Sequence, residues 1–230
     1  SGAVTVTNAI AISGTQAEVT AALVTTDTLV VAGTATATIS DAAEVAITAT
    51  ALSAIGGKTS GAVTVTNAIA ISGTQAEITA ALVTTDTLVV AATATVTSSD
   101  AMSVAEANAV DAKTSGVITA TLDTGDTASY STLTGTGNAY TVTVNDAGST
   151  AITATALSTL GGKTTGTVTV TNAIAISGTQ AEVTAALVTT DTLVVAGSAT
   201  ATISDANTTA IDATALSAIG GKTSGAVTVT

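Results

Sequence analysis

Near-identical segments recur along this chain, and that recurrence restricts the fold more than any single residue does. Thr7 to Gly33 reads TNAIAISGTQAEVTAALVTTDTLVVAG. The segment returns at Thr66 to Ala92 with only Ile78 and Ala92 changed, and unchanged at Thr171 to Gly197. A second signature, Lys-Thr-Ser/Thr-Gly, begins at Lys58, Lys113, Lys163 and Lys222, which are 55, 50 and 59 residues apart. Repetition at such a period marks stacked units that share a core with their neighbours. We read residues 1–230 as one continuous array, with repeats at 1–59, 60–114, 115–164 and 165–223 and the start of another at 224–230.

The composition suits a thin core of constant width. Hydrophobic residues make up 46% of the chain, yet there is no Phe or Trp, and Tyr130 and Tyr140 are its only aromatic residues. Broad interiors are normally filled by large rings, whereas Ala, Val, Ile, Leu and Thr fill the space between closely spaced backbones. Disorder does not fit a chain with no proline and 9% charged residues.

Each long repeat reads as two halves, and each half as strand followed by short helix. In the first half Ala3 to Thr7 and Ile10 to Ile12 are strand-like. Thr15-Gln16-Ala17-Glu18 then has capping-box spacing, and Val19, Ala22 and Leu23 share one helical face. The box recurs at Thr74/Glu77 and Thr179/Glu182. In the second half, Leu29 to Val31 and Thr34 to Ile39 are strand-like, and Ile47 to Lys58 predicts a short helix capped by Thr48. Ser103, Thr153 and Asp212 align with Thr48, and all four are good N-cap types. Gly56, Gly161 and Gly220 are expected to close these helices in the left-handed conformation. The third repeat is degenerate from Gly116 to Asp146, where an altered coil is expected.

The fold class this predicts is a β-rich α/β solenoid, with parallel strand ladders and one short helix per coil. The alternative is a pure β-solenoid in which the capping-box segments are turns. The strands at Val4–Val6, Val63–Val65, Val168–Val170 and Val227–Val229 are expected to share one parallel sheet, Val inward and Thr outward. The chain begins and ends in the same phase, Ser-Gly-Ala-Val-Thr-Val-Thr. The expectation is a window on a longer array, or a unit that stacks end to end through strand edges.

Several functions are disfavoured by what the sequence lacks. Sixteen carboxylates against four Lys and no Arg leave a net charge of −12, and no basic patch for nucleic acid can form. No apolar run approaches the ~20 residues of a membrane-spanning helix. With no His and no Cys, Ser-His-Asp and Cys-His catalysis and ordinary zinc sites are ruled out. Gly-Gly-Lys-Thr resembles the end of a phosphate-binding loop, but Leu52, Leu157 and Leu216 stand where its first glycine belongs, and the lysine follows a predicted helix instead of opening one. No enzyme and no cofactor are expected.

Calcium is the one metal the residues allow. Asp27, Asp86 and Asp191 lie in Thr-Thr-Asp-Thr, Asp41, Asp100 and Asp205 follow serine, and Asp123 and Asp126 form a local pair. Calcium takes six to eight oxygen ligands, and no known calcium-loop pattern is present. The simpler reading is turn and cap aspartates on a soluble acidic surface. Thr-x-Thr pairs at Thr5/Thr7, Thr64/Thr66, Thr167/Thr169 and Thr228/Thr230 allow a flat ice- or crystal-binding array, or solvent-facing strand threonines.

Two motifs carry a resemblance: Ala-Leu-Ser-x-Ile/Leu-Gly-Gly-Lys-Thr-Ser/Thr-Gly-x-Val-Thr-Val and Ile-Ser-Gly-Thr-Gln-Ala-Glu-Val. They resemble the Thr/Ala-rich tandem repeats of giant bacterial cell-surface proteins, those of cyanobacteria above all. The resemblance implies secretion to the cell surface, association with calcium, and a surface-layer or filament role. The function expected is a structural segment of an extracellular, self-associating filament or surface fibre. The alternative is an adhesin-like stalk that spaces a distant binding domain.

Overall fold

The Thr-x-x-Glu motif does locally what its spacing predicts. In this computed structural model, which describes residues 4–230, the Thr15 hydroxyl accepts from the Glu18 amide and the Glu18 carboxylate accepts from the Thr15 amide at 2.7 Å. Two donors that the helix itself cannot satisfy are thereby paired. Thr74/Glu77 and Thr179/Glu182 close the same way, and Ser103/Glu106 forms a fourth box of the same spacing. Helices at these sites set aside the pure-β alternative. Ser1 to Ala3, where the first expected strand and the expected end contact begin, lie outside the described residues.

The chain divides into two compact units, Ser1–Ala120 and Thr121–Thr230. The first contains β1 (Val4–Thr5), β2 (Ala11–Gly14), α1 (Gln16–Leu23), β3 (Val30–Val31), β4 (Thr36–Ile39), β5 (Ala46–Thr48), α2 (Ala49–Gly56), β6 (Val63–Val65), β7 (Ala70–Gly73), α3 (Gln75–Leu82), β8 (Val89–Val90), β9 (Thr95–Met102) and α4 (Val104–Asp111). β10 (Ile118–Leu122) crosses the boundary. The second contains β11 (Ala139–Val144), β12 (Ala151–Thr153), α5 (Ala154–Gly161), β13 (Val168–Val170), β14 (Ala175–Gly178), α6 (Gln180–Leu187), β15 (Val194–Val195), β16 (Thr200–Ile203), α7 (Ala213–Gly220) and β17 (Val227–Val229). The class is α/β, with parallel strands alternating with seven α-helices among the described residues.

In the first unit β1 pairs with β3, β2, β4, β6 and β8 neighbour one another in that order, and β5, β7 and β9 do likewise. In the second the orders are β11-β13-β15 and β12-β14-β16-β17. All these pairings are parallel. Side-chain bonds between successive layers join residues 19 to 27 positions apart, most of them 24 to 27.

The expectation that equal-phase strands share one sheet is corrected. β1 and β6 have the same repeat phase but lie in different sheets, as do β13 and β17. The cause is visible at β4, which pairs with β2 on one side and with β6 on the other. β5, inserted between β4 and α2, takes the place beside β7. The first strand of the next repeat is therefore displaced by one strand position. β16 makes the same switch between β14 and β17.

The expected alternation holds in the central strands. Val63, Val65, Val168 and Val170 are buried, with Thr64 and Thr169 half-exposed between them. It fails in the outer strands, where Val4 and Val229 are exposed. α3 buries Ile78, Ala81 and Leu82, and α6 buries Val183, Ala186 and Leu187. No side chain larger than Ile or Leu is needed in these layers.

The expected left-handed glycines are a second correction. Gly56 and Gly161 are the last helical residues, and the residues capping these helices, Gly57 and Gly162, have φ of −70° and −71°. Close approach demands the glycine. A Cβ on Gly56 would stand 2.2 Å from the Thr87 carbonyl oxygen, and one on Gly161 2.2 Å from that of Thr192.

Candidate functional sites along the repeats

The calcium candidates fall into three structural groups. Asp41, Asp100 and Asp205 reach the preceding layer: their carboxylates accept from the Gln16, Gln75 and Gln180 amides at 2.5, 2.5 and 2.7 Å. Those amides open α1, α3 and α6, where the partial positive charge of a helix start favours an anion. The Asp41 carbonyl in turn accepts from the Asn67 side chain at 2.7 Å, so one residue connects three successive layers.

Asp27, Asp86 and Asp191 are exposed in the turns that follow α1, α3 and α6. Their neighbours carry the structure. The Thr28, Thr87 and Thr192 hydroxyls donate to the Ala21, Ala80 and Ala185 carbonyls, which helix ends leave unpaired. Asp123 and Asp126 sit in the irregular layer. Asp126 accepts from the Ser129 hydroxyl and amide, and these bonds hold its carboxyl below the usual range. Asp123 contributes only its backbone carbonyl, to Tyr130. Among the described residues no three carboxylates are gathered as a metal-binding group.

The carboxyls of Glu18, Glu77 and Glu182 are also held low, first by the amide of the capping threonine. Glu77 and Glu182 gain a further donor from the layer before, the hydroxyls of Thr50 at 2.7 Å and Thr155 at 3.0 Å. Layer-to-layer stacking is thus built into side chains that sequence reasoning assigned to local caps.

The Lys-Thr-Ser/Thr-Gly signature is a clamp of the same kind. Thr59 donates its hydroxyl to the Ala35 carbonyl, and the Ser60 amide and hydroxyl both donate to Gly33, at 2.9 and 3.0 Å. The pattern repeats at Thr114 on Ala94, Thr164 on Tyr140 and Thr223 on Ala199. The glycine is required because a Cβ at Gly61 would lie 2.1 Å from the Ala35 oxygen. The lysine is exposed at Lys58 and faces no phosphate cradle, since the Gly57 and Lys58 amides are committed to Ser53 and Ile55 carbonyls.

The Thr-x-Thr pairs do not present two equal hydroxyl columns. Thr66 and Thr230 donate to the Ile39 and Ile203 carbonyls, and Thr171, two residues beyond the Thr167/Thr169 pair, donates to that of Val144. The threonine columns that do form are interrupted, Thr64 facing Val90 and Thr169 facing Val195.

Open grooves of about 560 and 460 Å³ recur in the two units, each where a lysine-signature turn meets a Thr-Asp-Thr turn: Lys58 with Asp86, and Thr164 with Asp191. A third groove, of about 370 Å³, lies between the irregular segment and α5. No helix is long and apolar enough to cross a membrane among the described residues. The chain matches no protein-family model, no curated protein and no solved structure.

Proposed function

We propose that this chain is a structural segment of an extracellular filament or surface fibre, in which strand–strand–helix layers form a solenoid. The observation that carries the reading is the layer-to-layer bonding, made by recurring residue types at separations of 20 to 27 residues. Such a unit exposes to the next layer the groups it accepts from the previous one, so growth along one axis needs no new chemistry. Growth proceeds by axial stacking of chains or by covalent continuation of the repeats. The surface location rests on the resemblance of the repeats to those of giant bacterial surface proteins.

Electron microscopy of the purified chain, with fibre diffraction of aligned material, tests the reading. Filaments of one-chain width with a meridional spacing of about 4.8 Å are expected. Monodisperse single chains at high concentration, together with fusions of two copies that fold as separate globules, would reject it.

A further inference from the structure

We propose that the irregular layer of the second unit holds a binding site for a small carboxylic acid with an apolar body. The site is an open groove of about 370 Å³ between residues 127–131 and one face of α5. That volume falls within the range of ordinary small-ligand sites, about 300–1,000 Å³. Tyr130, Ala156 and Leu160 supply a mostly apolar wall, Thr159 supplies a hydroxyl, and Lys163 supplies the only formal charge. No carboxylate lines the space itself; Asp146 and Glu182 stand behind the wall, accepting from the Thr127 and Thr155 hydroxyls, and Lys163 is the one cation an incoming anion meets there.

The walls are braced before any ligand arrives. The Tyr130 hydroxyl is engaged by the Asp123 and Thr143 carbonyls at 2.7 and 2.8 Å, which fixes the ring. Asp146 accepts from both the amide and the hydroxyl of Thr127, each at 2.7 Å. Asp126 ties down Ser129. These bonds belong to the layer that lacks a helix, and the groove occupies the space beside α5 that its turns leave unfilled.

The sequence supplies an independent observation. α5 reads Ala-Thr-Ala-Leu-Ser-Thr-Leu-Gly, whereas α2 and α7 both read Ala-Thr-Ala-Leu-Ser-Ala-Ile-Gly. The copies differ at two positions only, Thr159 and Leu160, and both line this groove. In an array of near copies, the departures in the helix and in the facing loop converge on one space.

Octanoate and octanol are the probes, titrated into the unaltered chain by calorimetry and by tyrosine fluorescence, which only Tyr130 and Tyr140 contribute. One octanoate per chain is expected to bind saturably, and octanol at least tenfold more weakly. Lys163→Gln should lower octanoate to the octanol level, Lys222→Gln should change nothing, and Thr159→Leu should block both by filling the space. Circular dichroism checks that each variant is folded, and Lys163→Gln, a change at a half-exposed residue, remains decisive if Thr159→Leu is not. No saturable binding, equal affinity for the two probes, or octanoate binding untouched by Lys163→Gln would overturn the proposal. Filament formation is read separately by microscopy, so failure here leaves the structural role standing.

Discussion

Two layers of the second unit close their cores by different means. From Val168 to Leu187 the chain runs β13, β14 and α6, and the helix fills the core with Val183, Ala186 and Leu187. From Leu122 to Val144 no helix forms. A run of turns, pinned by a bridge between Gly125 and Val144, buries Tyr130 and Leu133. A helix of small residues needs caps at both ends, and its amides satisfy one another between them. The turn segment has no such ladder, so it recruits Asp126, Asp146 and the Tyr130 hydroxyl to satisfy backbone groups. The regular layer can therefore be repeated, while the irregular one depends on Tyr130 and Asp126, found once, beside Asp146, which stands where Asp41 stands in its own repeat.

The largest expected effect tests that dependence. Tyr130→Ala should destabilise the second unit by about 3–5 kcal/mol, because it empties the layer and takes the hydroxyl away from the Asp123 and Thr143 carbonyls. Tyr130→Phe keeps the packing and should cost about 1–2 kcal/mol. Leu187→Ala in the regular layer should cost about 2–5 kcal/mol. Urea unfolding of the three variants measures the ranking, and a Tyr130→Ala chain as stable as the unaltered one would erase the distinction.

The next comparison uses one motif in two settings. Gly161→Ala places a Cβ 2.2 Å from the Thr192 oxygen and should cost about 1–3 kcal/mol or more from overpacking. Gly220 has nothing within 4 Å of the same position. Gly220→Ala should instead be neutral, or stabilise by up to about 1 kcal/mol through helix propensity. Thermal unfolding reads the opposite signs directly, and equal shifts would mean that helix ending, not close approach, sets the glycine.

Smaller effects separate the aspartates. Asp205→Ala removes the acceptor at the start of α6 and should cost about 0.5–2 kcal/mol. Asp191→Ala, in an exposed turn, should stay within about 0.5 kcal/mol of the unaltered chain. If calcium protected both variants alike from unfolding, the metal reading would gain over the cap reading.

The smallest expected effect is in pH. The Glu182 carboxyl is held below its ordinary value of 4.5 by the Thr179 amide and then the Thr155 hydroxyl. A carboxyl that binds its proton less tightly when folded contributes stability that is fully present above 4.5 and is lost as pH falls through the lower folded value. Thr155→Val should move the Glu182 titration, followed by NMR, back toward 4.5 while leaving Glu18 unchanged. An unmoved titration would show that the layer-to-layer bond does not form in solution.

Short-range chemistry was legible in the residues. Thr15 with Glu18, Thr48 ahead of α2, and the alternation in Val63-Thr64-Val65 follow from contacts within a few positions, which spacing encodes. The helix at Ser103 carried the same Ser-x-x-Glu signal, and the degenerate stretch announced an altered layer. The groove beside α5 could be suspected only from Thr159 and Leu160 departing from otherwise identical helices.

By itself the sequence determined the repeat, the strand-then-helix order, the capped helix starts and a core whose only rings are Tyr130 and Tyr140, because each depends on local spacing or on what side chains are present. Tertiary structure alone decided which strands become neighbours, what Asp41 and Thr59 bond to, and why Gly56 must be glycine. Those outcomes turn on groups some 24 to 27 residues away or in the next layer, whose register is set when β5 is inserted and the following strand is displaced. Identical segments then meet different neighbours, and no reading of a segment alone can say which.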